Sequence, residues 1–223
     1  VRIRIDVSSG QDADSAAFAV DNQPLSTTVQ LNRHPWLQNM TQTSAIVLWR
    51  TTGSTDTVIE YGSSASLGLT AGDPNASTDD HQVTLSGLQP GTRYTYRVLS
   101  GGQPVTTRTS FVTAPASTAT TLTFLAFGDS GTGSAEQFAV ADQMAQDDAD
   151  FVLHLGDILY PDGGAGNIVP EYNRLFFEPY RNMLDTRCMF PAPGNHDRHD
   201  FFKPYRETFI TPNNGLPLIG ELY

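Results

Sequence analysis

The stretch LTFLAFGDSG, Leu122 to Gly131, decides the fold. A nearly continuous apolar run predicts a strand buried on both faces, as in a parallel sheet covered by helices, and here it ends abruptly in Gly-Asp. The same grammar recurs in FVLHLGDILY, Phe151 to Tyr160, and in CMFPAPGNHD, Cys188 to Asp197. Between the first two runs Ser134 is placed to cap a helix with Gln137 three residues on, and Phe138, Ala141, Met144 and Ala145 form its apolar face. Between the second and third, Tyr172, Leu175, Phe176, Tyr180, Met183 and Leu184 predict another helix, interrupted at Pro179. Strand, helix, strand, helix, strand is an α/β layout with a parallel sheet.

In such sheets ligands bind at the carboxyl ends of the strands. The residues there are Asp129 after the first run, Asp157 and Tyr160 after the second, and Asn195, His196 and Asp197 after the third. Each group opens on a glycine, which permits a tight turn and close approach. Two carboxylates, a phenol, an amide oxygen and an imidazole make a hard, oxygen-rich donor set, suited to first-row metal ions and poorly suited to soft copper or thiolate chemistry. Without a cation the two carboxylates would repel one another, and one carboxylate placed between two ions can bridge them. Taken alone, Asp129 and Asp157 are equally readable as turn aspartates, and Tyr160 as a loop aromatic. Asp197 reads as a brace of its loop, His154 as a buried, satisfied histidine, and His199 and Asp200 as solvated.

Upstream the pattern changes. SAIVLWRT, DTVIEYG, HQVTLSGL, TRYTYRVLS and TRTSFVT are short strands between turn clusters, the spacing of a β-sandwich over residues 29–113. In the fourth, Tyr94, Tyr96 and Val98 alternate with Arg93, Thr95 and Arg97, which predicts an apolar inner face and a charged outer one. Leu88, Pro90, Gly91, Thr92 and Tyr94 resemble the fibronectin type III signature with its tyrosine corner. Trp36 and Trp49 read as sandwich core rather than a sugar platform. APASTATT, residues 114–121, has linker composition, and 122–223 is the α/β part. Residues 1–28 fit neither half: an N-terminal hairpin and the remnant of an upstream β-module, faintly similar to a carbohydrate-binding jelly roll, remain equal readings.

A formal charge of -11 with only 13 Lys and Arg argues against nucleic-acid binding. No apolar run is long enough to span a membrane. The single cysteine, Cys188, excludes an intrachain disulfide and a Cys-rich zinc site, and its apolar setting marks an inert core residue. A first half rich in Thr, Ser, Gly and Asn, with sequons at Asn39 and Asn75, leans toward a secreted protein.

Asp129-x-Gly131, Gly156-Asp157-x-x-Tyr160 and Gly194-Asn195-His196-Asp197, in this order, resemble the first three motif blocks of the calcineurin-like metallophosphoesterases. Tyr160 and the sandwich directly ahead point to the purple acid phosphatase branch. The resemblance implies an αββα-layered catalytic domain, incomplete here, and hydrolysis of phosphomonoesters at acidic pH without a covalent enzyme intermediate. It implies that Asp129 and Tyr160 ligate Fe(III), with the charge-transfer colour of a tyrosinate, that Asp157 bridges to a second divalent metal (Zn, Mn or Fe), and that Asn195 ligates this second metal and faces substrate. His196 would contact the phosphate and assist the leaving group.

The family completes its site with V-x-x-H and G-H-x-H blocks. This sequence has neither; its five histidines are His34, His81, His154, His196 and His199. The expectation is therefore the first half of a phosphatase domain, inactive alone, its open sheet face covered by a second fragment or another copy. Two alternatives stay open: a non-catalytic secreted binding module, and a phosphodiesterase of the same superfamily.

Overall fold

A computed structural model describes residues 23–26, 28–64, 66–161 and 168–210. The readings of residues 1–22 lie outside the described residues.

Among the described residues six strands build the first half: β1 (Leu31–Gln38), β2 (Ser44–Gly62), β3 (Leu69–Ser86), β4 (Arg93–Ser100), β5 (Gln103–Pro104) and β6 (Thr109–Val112). SAIVLWRT and DTVIEYG are one strand rather than two. Register shifts around Thr55 bend β2 without breaking it, so its first part pairs with β1 and the end of β3 while its second part pairs with β4 and the start of β3. Both layers of the sandwich thus share β2 and β3. Trp49, Val47, Leu85 and Leu37 from one layer meet Ile59, Tyr96, Val98 and Phe111 from the other. The tyrosine corner is present, with the Gln89 N–H donating to the Tyr94 hydroxyl at 3.0 Å. Arg97 does not face water: it is buried and pairs with Glu60 at 2.6 Å, because a guanidinium can enter a core edge when a carboxylate follows it.

The second half runs β7 (Phe124–Phe127), α1 (Ala135–Met144), β8 (Phe151–His154), α2 (Ile168–Tyr172), a π-helical turn (Asn173–Phe177), α3 (Glu178–Leu184), β9 (Cys188–Pro191), a 3-10 turn (Asn195–Asp197) and α4 (Lys203–Thr208). β7, β8 and β9 are parallel, in the order β9-β8-β7. Leu125, Phe127, Val152 and Met189 face the helices. The opposite face carries Phe124 stacked on Phe151 and Phe190 edge-on to it, and Phe124 and Leu155 are 52% and 63% exposed. The expectation of strands buried on both faces therefore fails for β7, an edge strand covered on one side.

In α1 the inward residues are Gln137, Ala141 and Met144, while Phe138 is exposed. The cause lies in the neighbouring helix. Pro179 has no N–H to offer the carbonyl four residues back, and Gln137 Nε2 donates to that carbonyl, Leu175 O, at 2.7 Å. The interruption expected at Pro179 falls one turn earlier, in the π-helical turn, which leaves Pro179 in the first turn of α3.

The two halves are not separate bodies joined only by 114–121. Leu37 of β1 pairs with Cys188 of β9, parallel, so one nine-stranded sheet runs through both. β1 is buried on two sides: Leu37 points into the sandwich, whereas Trp36 joins the helical core and packs on Phe177 at 4.7 Å between ring centroids. The assignment of Trp36 to the sandwich core is corrected accordingly; Trp49 does lie there. Cys188 is buried, and desolvation pushes its thiol up to about 12.

Candidate metal centre

The three strand ends meet through their backbones. The Asp129 N–H donates to Gly156 O at 3.0 Å, the Ser130 N–H to Asp157 O at 3.1 Å, and the Tyr160 N–H to Gly131 O at 3.2 Å. Asp129 and Asp157 both adopt left-handed backbone, φ 51° and 54°, an uncommon conformation for a residue with a side chain and one that aspartate tolerates. Two glycines are there for want of space. A Cβ on Gly131 would stand 1.9 Å from Ile158 O, and one on Gly194 would stand 2.2 Å from Asp157 Oδ1.

This packing brings three of the expected donors together. The Tyr160 hydroxyl lies 2.9 Å from Asp129 Oδ1 and 3.0 Å from Asp157 Oδ2, two acceptors for one hydrogen. Asp157 Oδ1 accepts the His196 N–H at 2.8 Å. Desolvation, followed by the two carboxylates, holds the Tyr160 phenol well above its ordinary range. Asp157 is buried and Asp129 exposed, so the cluster opens to solvent on the Asp129 side. The His196 ring lies 4.6 Å from that of Tyr160, and its Nδ1–H donates to the Pro161 carbonyl. Asn195 follows Gly194 in the 3-10 turn, its residue exposed, with no side-chain hydrogen bond to another described residue.

Around the cluster stand residues that fix it. Asp197, 1% exposed, accepts from the N–H groups of Ile158 at 3.0 Å and Gly194 at 2.8 Å, which ties the second loop to the third. Burial raises its carboxyl, and these N–H groups oppose the rise. His154 is buried, accepts the Gly156 N–H on Nδ1 at 3.2 Å and thereby directs its Nε2–H toward Ser130 Oγ at 2.9 Å. Burial lowers this imidazole to about 4, so it stays neutral. Sequence reading placed Asp197 and His154 in supporting roles. It missed Ser130, and it placed Gln137 only in the helix cap with Ser134; their distant partners lie 24 and 38 positions away.

Among the described residues no three His, Cys, Asp or Glu side chains gather to hold a metal; the third donor of the cluster is a phenol. The donor chemistry nevertheless fits a hard cation. Three oxygens converge with one hydrogen between them, and a cation would replace that hydrogen and relieve the pairing of two carboxylates.

Residues 31–113 match the family model of the purple acid phosphatase N-terminal domain, and residues 122–221 match that of the calcineurin-like phosphoesterases. The two matches adjoin one another along the chain, in the order sandwich then α/β half. Among curated relatives, acid phosphatase type 7 of Danio rerio is 26% identical over 81% of this chain and 42% of its own length. Acid phosphatase type 7 of Mus musculus is 31% identical over 61% of this chain and 31% of its own. The chain thus spans less than half the length of these relatives. A solved structure described as that of PhoD superposes with a TM-score of 0.55 at 15% identity, over 75% of this chain and 39% of that one, a likeness of fold.

Proposed function

We propose that this chain supplies one side of a dinuclear metal centre for the hydrolysis of phosphomonoesters, of the acid phosphatase type. The observation that carries the proposal is the sharing of the Tyr160 hydroxyl between Asp129 and Asp157 within 3.0 Å. Asp129 and Tyr160 would hold Fe(III), Asp157 would reach both ions, and Asn195 would hold the second, a Zn, Mn or Fe ion. A metal pair bound there would acidify a water molecule and neutralise phosphoryl charge.

The chain's own residues do the rest. Asp197 and Gly194 keep the second and third loops in contact, so that Asp157 stays at the mouth of β8. His196, held by Pro161 and with its ring tilted against that of Tyr160, is positioned to meet the phosphate and give a proton to the leaving group. The partner is a phosphate ester. Secretion, and cover for the open face of β7 and β8 by further polypeptide or a second copy, belong to the same proposal.

Metal content by plasma mass spectrometry tests it, on protein purified without chelator and on Asp157→Asn. Binding of two metals that falls most sharply in the variant is the expected result; equal content in both would overturn the assignment. Hydrolysis of a monoester and a diester by this chain together with the polypeptide that completes its centre, assayed side by side, then decides the substrate class.

A further inference from the structure

A second site stands apart from the carboxylate cluster. Where β1, β2 and β3 meet the end of α4, a cavity of about 650 Å³ opens between the two halves, and Arg33, Arg50 and Arg206 line it. Asp129, Asp157, Tyr160 and His196 do not. Two carboxylates also face the cavity, and each is already met by a cation: Asp80 by Arg50 at 3.1 Å, Glu207 by Lys203 at 3.9 Å. His81 has both ring nitrogens engaged by Thr51 and Thr57 and is part of the wall.

Arg33 is different. It is 5% exposed, yet no carboxylate among the described residues lies within ion-pair distance of it. Its Nε donates to Asn173 Oδ1 at 2.6 Å, and the guanidinium carbon lies 3.8 Å from the Phe177 ring centroid and 5.1 Å from that of Trp36. The two rings, themselves 4.7 Å apart, lie on one side of the guanidinium, and Asn173 takes one edge position. The terminal nitrogens, a rigid fork matched to two oxygens of one anion, have no acceptor among the described residues. Desolvation, then Arg50, lowers this guanidinium to about 9, the sign of a buried cation lacking a counter-charge. Arg33 also borders a cavity of about 480 Å³ on the Asn173 side. The larger cavity is favoured because three arginines against two carboxylates line it, and Thr208 and Gln82 add hydrogen-bonding groups.

We propose that this interdomain cavity is an anion site in which the terminal nitrogens of Arg33 hold a tetrahedral oxyanion of the orthophosphate type. The site does not depend on any metal at the strand ends. Bound there, the anion bridges β1 of the sandwich to the segment after α4, so its occupancy stabilises the junction of the two halves.

The test is thermal unfolding and titration calorimetry of the full chain, with metals removed by chelator and ionic strength held constant with chloride. Orthophosphate should raise Tm saturably, and sulfate should act similarly. Arg33→Met should lose the rise while keeping, in phosphate-free buffer, a Tm equal to or above that of the parent, because an uncompensated charge has gone. Arg33→Lys, which keeps the charge without the fork, should weaken the response about tenfold in anion concentration, and it carries the test if the Met variant does not fold. No rise in the parent chain, an equal rise in both variants, or a stronger response to acetate than to phosphate would overturn the proposal. Arg33 would then be a stacked tie between β1 and Phe177 and nothing more.

Discussion

Gly194 and Asp157 occupy the same space: the carboxylate oxygen of Asp157 lies 2.2 Å from where a Cβ on Gly194 would be, and the Asp157 nitrogen lies 2.4 Å from it. The backbone of Gly194 is extended and would accept alanine, so the obstacle is contact alone. Gly194→Ala should push Asp157 away from Tyr160, lowering metal affinity at least tenfold and Tm by several degrees. Metal titration and thermal unfolding check this, and unchanged metal binding would mean that Asp157 is not a ligand.

Tyr160 shares its hydrogen with two carboxylates and is held above the usual phenol range. Ferric binding must displace that proton. Adding Fe(III) should release acid in a pH-stat and generate a visible absorption band; Tyr160→Phe should show neither the band nor the extra proton, while the ring stays beside His196.

His154 gives the fold a pH dependence of known sign. Its folded value of about 4 lies below the ordinary 6.5, so the unfolded chain takes up the proton first. The stability associated with a neutral His154 is complete above pH 6.5 and declines as pH falls toward 4. By pH 5 the loss is about 2 kcal/mol. Denaturant midpoints at pH 7 and pH 5 should show it, and His154→Gln should lack that part of the decline.

Trp36 tests whether the two halves unfold together. It belongs to a sandwich strand yet packs on Phe177 in the helical core. Trp36→Ala should cost about 3 to 5 kcal/mol and lower one shared transition, followed by tyrosine fluorescence and by far-ultraviolet circular dichroism. Two separate transitions in the parent chain would contradict the continuous sheet.

Local pattern was enough wherever the signal was local. Continuous apolar runs identify β7, β8 and β9, and each Gly-Asp or Gly-Asn step identifies a strand end, because backbone propensity and side-chain period act over a few residues. Of the residues in the three motif blocks, the structure joins Asp129, Asp157, Tyr160 and His196 by hydrogen bonds, and Asn195 makes none to them. Sequence erred where a distant partner outweighs the local pattern. Phe138 looks inward by periodicity, but the carbonyl orphaned by Pro179 draws Gln137 to that face instead. Arg97 looks outward by alternation, but Glu60 lets it be buried.

What the sequence by itself determined is therefore the two halves, the strand ends and the chemistry gathered there, all set by short-range periodicity and glycine placement. Only the tertiary structure decided that β1 joins β9 in one sheet, that Trp36 serves the helical core, that Ser130 and His154 clasp the first two loops, and that Arg33 is buried without a counter-ion. Each of these depends on residues far apart in the chain meeting in a solvent-poor interior, where an unpaired polar group or charge is costly. No short window of sequence carries that information.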